Sequence, residues 1–142
     1  MNILVSSCLL GLDCRYGGNG SYSESVASLA GQHTLIPVCP EQMGGLPTPR
    51  APLERVHDRV LDKDGRDYTD AMNKGADEVI KLSKLLECTH AITKSRSPSC
   101  GYGLIHDGTF SGHLIQGSGI TVEKLLAAGI QVTDENHLSL YL

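Results

Sequence analysis

Short apolar runs that each give way to a loop carrying a cysteine set the strongest limit on how this chain folds. Ile3-Leu4-Val5, Leu35-Ile36-Pro37-Val38 and Ala91-Ile92-Thr93 are too short for amphipathic helices and lack polar alternation. They read as strands buried on both faces, the signature of a parallel sheet. Cys8 follows the first run, Cys39 the second, and Cys100 lies in the loop after the third. In open α/β sheets, ligands bind outside the carboxyl ends of the strands. The three thiols, distant in sequence, are therefore expected along one edge.

Helical patterns fill the intervals. Met72, Ala76, Val79, Ser83 and Leu86 recur at helical spacing and predict a helix over about residues 70–87, with Thr69 as N-cap. Ser21 and Glu24 fit a capping box, which predicts a short helix to about Ala30, closed by Gly31. Thr121 is the expected cap of a further helix through Leu126, with Gly129 just past its end, and Gln131-Val132-Thr133 is the last strand. Asp64-Gly65, between Arg59–Asp62 and Arg66–Tyr68, predicts a small hairpin. Pro37 cannot donate to a ladder, so its strand belongs at an edge, an end or a bulge. The expected fold is a single α/β domain over residues 1–142, with a mainly parallel, Rossmann-like sheet flanked by helices and its site at the strand carboxyl ends.

Composition narrows the function. A chain of 142 residues, 40% of them hydrophobic, is long enough to bury one core. Its net charge of −4 lacks the basic footprint of a nucleic-acid binder. No apolar run approaches the ~20 residues of a membrane helix, and the N-terminus has no signal-peptide pattern. The expected location is cytoplasmic, with no nucleic-acid or membrane partner; the oligomeric state leaves no trace in the sequence. In the cytoplasm five cysteines are expected to be reduced, and an odd count opposes a fully paired disulfide framework.

Metal binding or catalysis is then the sharper reading of these thiols, and burial as small hydrophobes the bland one. Three convergent thiolates suit a soft metal centre. An iron–sulfur cubane ordinarily takes four cysteines, so three leave one iron open. Zinc, too, can use three cysteines and a water. Cys14 shares a loop with Cys8 and competes as a ligand, while Cys88 reads as packing. Glu41, two residues beyond Cys39, is placed either for proton transfer or for pairing with a helix N-terminus. Ser97 and Ser99 stand in the densest loop, Lys94–Gly103, where hydroxyls serve a substrate or the loop backbone. Arg15, Arg50, Lys94 and Arg96 offer donors to an anionic or carbonyl-rich ligand, or else form solvated surface.

Several segments together carry a resemblance. Val5-Ser6-Ser7-Cys8-Leu9-Leu10-Gly11, Arg15-Tyr16-Gly17-Gly18, Pro37-Val38-Cys39-Pro40-Glu41, Gly44-Gly45-Leu46-Pro47-Thr48-Pro49-Arg50, Ser97-Pro98-Ser99-Cys100-Gly101 and Asp107-Gly108-Thr109-Phe110-Ser111-Gly112 resemble the thiouracil desulfidase (TudS) family. The matches run in order from residue 5 to about residue 119. The resemblance implies a small α/β protein holding an oxygen-sensitive [4Fe–4S] cluster on Cys8, Cys39 and Cys100, with one iron open. It implies removal of sulfur from 2-thiouracil or a related thiolated small molecule, giving a uracil-type product and sulfide without net redox change. In that picture the open iron takes the thiocarbonyl sulfur while water attacks the carbon. Glu41 and Ser97 match the positions for proton transfer and for orienting substrate or water, and Arg15, Tyr16, Arg50, Lys94 and Ser99 are the expected substrate contacts.

Two positions depart from the pattern. Gly17 stands where the family loop commonly has aspartate, and position 14 is not reliably cysteine in the family, which counts against Cys14 as a ligand. An aerobic preparation is expected to carry zinc, or nothing, at the three cysteines. Two other readings stay open: a metal-free enzyme in which Cys100 carries a persulfide, and a non-catalytic carrier of a cluster or zinc. A carrier needs thiols but no apposed carboxylate, so Glu41 favours an enzyme.

Overall fold

The structure, a computed structural model, describes residues 1–141; residue 142, the last of the expected domain, lies outside them. The expected strands form one parallel sheet. β1 (Asn2–Ser6) pairs with β2 (Thr34–Val38) on one side and β5 (His90–Thr93) on the other, and β8 (Gln131–Asp134) completes the order β2-β1-β5-β8. Pro37 is accommodated because β2 is an edge strand.

Alternate residues of β1 go to opposite faces, as strand geometry requires. Ile3 and Val5 join Val26, Leu29, Leu138 and Tyr141 in one core layer; Leu4 joins Val79, Val122, Leu125 and Val132 in the other. The second layer lies under α3 (Thr69–Leu85) and α4 (Ile120–Ala127). Met72, Ala76, Val79 and Ser83 form the buried stripe of α3, as their spacing predicts. Among the described residues no helix is long and apolar enough to cross a membrane.

Local details differ from the sequence reading. Ser21 does not cap a helix, because its N–H is bonded to the Cys8 carbonyl at 2.8 Å in an extended segment. Ser23 is the cap of α1 (Glu24–Ala27), its Oγ accepting from Val26 N–H at 3.3 Å, and the chain then tightens into a 3-10 turn over Ser28–Gly31. Thr69 is the first helical residue of α3, not its cap; its hydroxyl accepts from Val60 N–H at 3.0 Å and so ties the helix to a hairpin.

That hairpin also lies elsewhere than expected. It pairs β3 (Glu54–Val56) with β4 (Arg59–Leu61), turning at His57 and Asp58. The Asp64-Gly65 turn exists, but a single Leu61–Asp67 bridge closes it. Buried Asp62 organises it by accepting from the N–H groups of Asp64 and Arg66, both at 2.9 Å. A second hairpin, β6 (Leu104–His106) with β7 (Leu114–Gln116), occupies a glycine-rich stretch in which the sequence suggested no strands. Thr121 lies inside α4, whose N-cap is Gly119.

Candidate metal centre and cavity

The sheet creates the site by its order. From β1 the chain leaves to β2 on one side and later returns to β5 on the other, so the loops after β1 and β5 diverge and open a crevice. Ser7–Leu10 continues β1 as a 3-10 turn carrying Cys8. Cys39 follows β2 as the N-cap of α2 (Pro40–Met43), with Pro40 in the first turn, where its missing N–H costs no hydrogen bond. The loop after β5 carries Lys94 through Cys100. These three loops and the segment Arg50–Glu54 enclose a cavity of about 440 Å³.

Cys8, Cys39 and Cys100 all border this cavity, and all are free thiols. Glu41, in the first turn of α2, borders it too and is only 9% exposed. The Cys39 thiol lies 3.6 Å from Glu41 Oε2 and 3.8 Å from the Cys14 carbonyl oxygen. Burial, then the charge of Glu41, raises the Cys100 thiol well above its ordinary value. The hydrogen bond with the Cys14 thiol, burial and Glu41 raise that of Cys39. A metal bound at either thiol would have to displace its proton.

Cys14 joins this group. It is buried against the cavity, and its thiol is in hydrogen-bonding reach of those of Cys39 and Cys8. The Cys39 contact lowers its pKa, but the Cys8 contact and burial outweigh that and leave it raised to about 11. Four of the five cysteines thus meet at one place; Cys88 packs in the core layer beneath α3. The sharing of a loop with Cys8 was the signal for Cys14.

Among the described residues no three histidine, cysteine or carboxylate side chains crowd together as they do around a single ion. The four thiols instead border one cavity of about 440 Å³. Soft sulfur donors from three separate loops fit an iron–sulfur group.

The remaining expected residues divide. Ser97 borders the cavity, and its Oγ accepts from Ser99 N–H at 3.1 Å and Cys100 N–H at 3.0 Å, which leaves its own hydrogen to donate. Ser97 therefore braces the Cys100 loop while facing the cavity. Ser99 does not face it. Its side chain is fully buried and its hydroxyl is 2.8 Å from that of Thr121, so it docks the loop onto α4 instead of contacting a substrate.

Arg15, Tyr16 and Arg50 line the cavity. The Arg15 guanidinium stands 5.5 Å from the Tyr16 ring centroid, and Arg50 N–H donates to the Tyr16 carbonyl at 2.8 Å, joining two loops. Lys94 lines it as well, but its ammonium is 3.0 Å from Glu135. Glu135 also accepts from the backbone N–H and hydroxyl of Ser95, at 2.8 and 2.9 Å. Lys94 and Glu135 so fix the start of the Cys100 loop.

Sequence reasoning did not single out Ser6, Glu54 or His106 at this cavity. Glu54 Oε1 accepts from the N–H groups of Gly108 and Phe110, at 3.0 and 3.1 Å, and binds the two hairpins together. Ser6 Oγ accepts from Lys94 N–H at 2.9 Å across the crevice. Neither residue sits in a recognisable spacing.

A parallel-sheet α/β fold with four thiols and two carboxylates, Glu41 and Glu54, around a crevice at the strand ends defines a candidate metal-binding α/β protein. The model of the 2-thiouracil desulfurase family matches residues 3–137, and the chain belongs to that family. It is similar to the uncharacterised protein YbbK of Bacillus subtilis (strain 168), with 39% identity over 147 residues, covering 96% of this chain and 97% of YbbK. It is also similar to a solved structure described as the [4Fe-4S]-dependent thiouracil desulfidase TudS. That likeness has a TM-score of 0.93 and 38% identity, and covers 99% of this chain and 94% of the other.

Proposed function

We propose that this protein is an iron–sulfur-dependent desulfidase. It takes a free thiolated pyrimidine such as 2-thiouracil, or a related thioamide, and exchanges the thiocarbonyl sulfur for oxygen from water, releasing sulfide. No electrons are gained or lost overall. The observation that carries this reading is the meeting of Cys8, Cys39, Cys100 and Glu41 at one cavity. The substrate is a small molecule, with no nucleic acid or membrane involved, and the reaction is assigned to the cytoplasm.

Cys8, Cys39 and Cys100 are the residues that would hold a [4Fe–4S] cluster. When bound, the cluster supplies a Lewis-acidic site with affinity for sulfur. Glu41 takes a proton from the attacking water and delivers it toward the departing sulfur. Ser97 donates its hydroxyl hydrogen to substrate or water, and its bonds to the Cys100 loop hold that donor in place. Arg15, Tyr16 and Arg50 form the polar wall that holds the heterocycle. The metal-free persulfide route needs a thiolate at Cys100, whereas burial raises that thiol.

The test is iron and acid-labile sulfide per chain after anaerobic reconstitution, followed by conversion of 2-thiouracil to uracil. About four irons are expected in the parent, lost in Cys8→Ala, Cys39→Ala and Cys100→Ala and kept in Cys14→Ala. A parent that retains no iron, or retains it without turnover, overturns the reading.

A further inference from the structure

His106 lies on the cavity wall built by the hairpins, not on the cysteine loops. It is half-buried, and its Nδ1 is buried with no hydrogen-bond partner among the described residues. A buried N–H left without an acceptor costs more than a nitrogen lone pair left without a donor. In its neutral form the ring therefore keeps its lone pair on Nδ1 and its proton on Nε2. Nε2 has no hydrogen-bond partner among the described residues, and the residue that carries it borders the cavity.

The backbone that carries the ring is also anchored. Its strand runs directly into the Asp107–Phe110 loop, which Glu54 grips through the N–H groups of Gly108 and Phe110. A donor on the wall of a small cavity selects ligands by where they carry an acceptor.

Resting on the desulfidase reading, we propose that His106 is a specificity-determining residue. Its Nε2–H donates to a carbonyl oxygen on the heterocycle other than the reacting thiocarbonyl, so that the enzyme prefers oxo-thiopyrimidines over thiopyrimidines without the second oxygen. For 2-thiouracil the acceptor is the 4-carbonyl.

The experiment compares two substrates and two products. Reconstituted parent, His106→Phe and His106→Gln are assayed with 2-thiouracil and with pyrimidine-2-thione, which lacks the 4-carbonyl. His106→Phe is expected to lose on the order of tenfold in kcat/KM for 2-thiouracil, chiefly through KM, and to stay within about twofold for pyrimidine-2-thione. His106→Gln, which retains an N–H donor, is expected to recover most of the loss. Equal losses on both substrates, or none on either, overturn the proposal.

Calorimetric binding of uracil and of pyrimidin-2-one to the same proteins supplies a reading independent of turnover. Tighter binding of uracil by the parent, abolished in His106→Phe, supports the inference even where neither thione is converted; that result would defeat the desulfidase reading alone. A parent that binds both products equally, or neither, overturns the assignment of His106.

Discussion

Gly75 of α3 meets the Pro40 carbonyl of α2 so closely that a β-carbon at position 75 would stand 1.8 Å from that oxygen. Gly44, at the other end of α2, meets the Ala71 carbonyl in the same way, at 2.0 Å. Backbone rests on backbone there, and α2, which presents Cys39 and Glu41, takes its position from that contact. Gly75→Ala is expected to improve the intrinsic helix propensity of α3 and still destabilise the protein by about 3 kcal/mol, because overpacking at a rigid backbone contact outweighs the propensity gain. Denaturant unfolding measures the first effect. Iron content after reconstitution, expected to fall even where the variant is folded, measures displacement of Cys39.

Ser99 and Thr121 share a fully buried hydroxyl pair 2.8 Å apart. Ser99→Ala strands the Thr121 hydroxyl and is expected to cost about 2 kcal/mol. Replacing both partners, with Ser99→Ala and Thr121→Val together, is expected to cost less than the sum of the single changes. A double-mutant cycle in unfolding free energy reads that coupling; additive losses would show that the two side chains act separately.

Glu135 titrates below its ordinary value of 4.5: burial raises it, but the N–H of Ser95 and the ammonium of Lys94 outweigh burial. A carboxylate lowered in the folded state contributes stability that is present above its unfolded pKa. That contribution is lost as pH falls through the folded value. Glu135→Gln is therefore expected to cost about 2 kcal/mol at pH 7, with the difference from the parent shrinking below about pH 4. Unfolding curves at pH 7 and in the acid range check this, and a difference that does not depend on pH would exclude the ion pair as its source.

Glu41→Gln is expected to keep its iron and lose about 10²–10⁴-fold in turnover of 2-thiouracil, the range for removal of a proton-transfer group. The amide fills the same space beside Cys39, so the cluster content serves as the control. Full turnover with an intact cluster would remove Glu41 from proton transfer.

Where a residue's placement follows from its position at a strand end, the sequence was sufficient to find it. Cys8, Cys39 and Glu41 follow apolar runs closely, and the parallel-sheet rule brings such positions together whatever the intervening chain does. The placements of Ser99 and His106 depend on which way a loop or a three-residue strand turns its side chains. Ser99 sits in the same motif as Ser97, yet the approach of α4 turns one inward to Thr121 and leaves the other at the cavity. The β6–β7 hairpin was hidden because its strands are too short for a periodic signal and lie among glycines. The capping residue of α1 was displaced by two positions, from Ser21 to Ser23, by a backbone bond to Cys8 that no local pattern announces.

The dependence of the Cys100 loop on α4 has a consequence for synthesis. The carbonyl oxygen of Ser99 accepts from the N–H groups of Thr121 and Val122, so the third thiol is held in place by residues made some twenty positions after it. A growing chain exposes Cys8 and Cys39 long before the helix that supports Cys100 has been made. A site that needs all three thiols is not assembled until α4 has been made, and a chain truncated before α4 carries its thiols without the brace that sets Cys100.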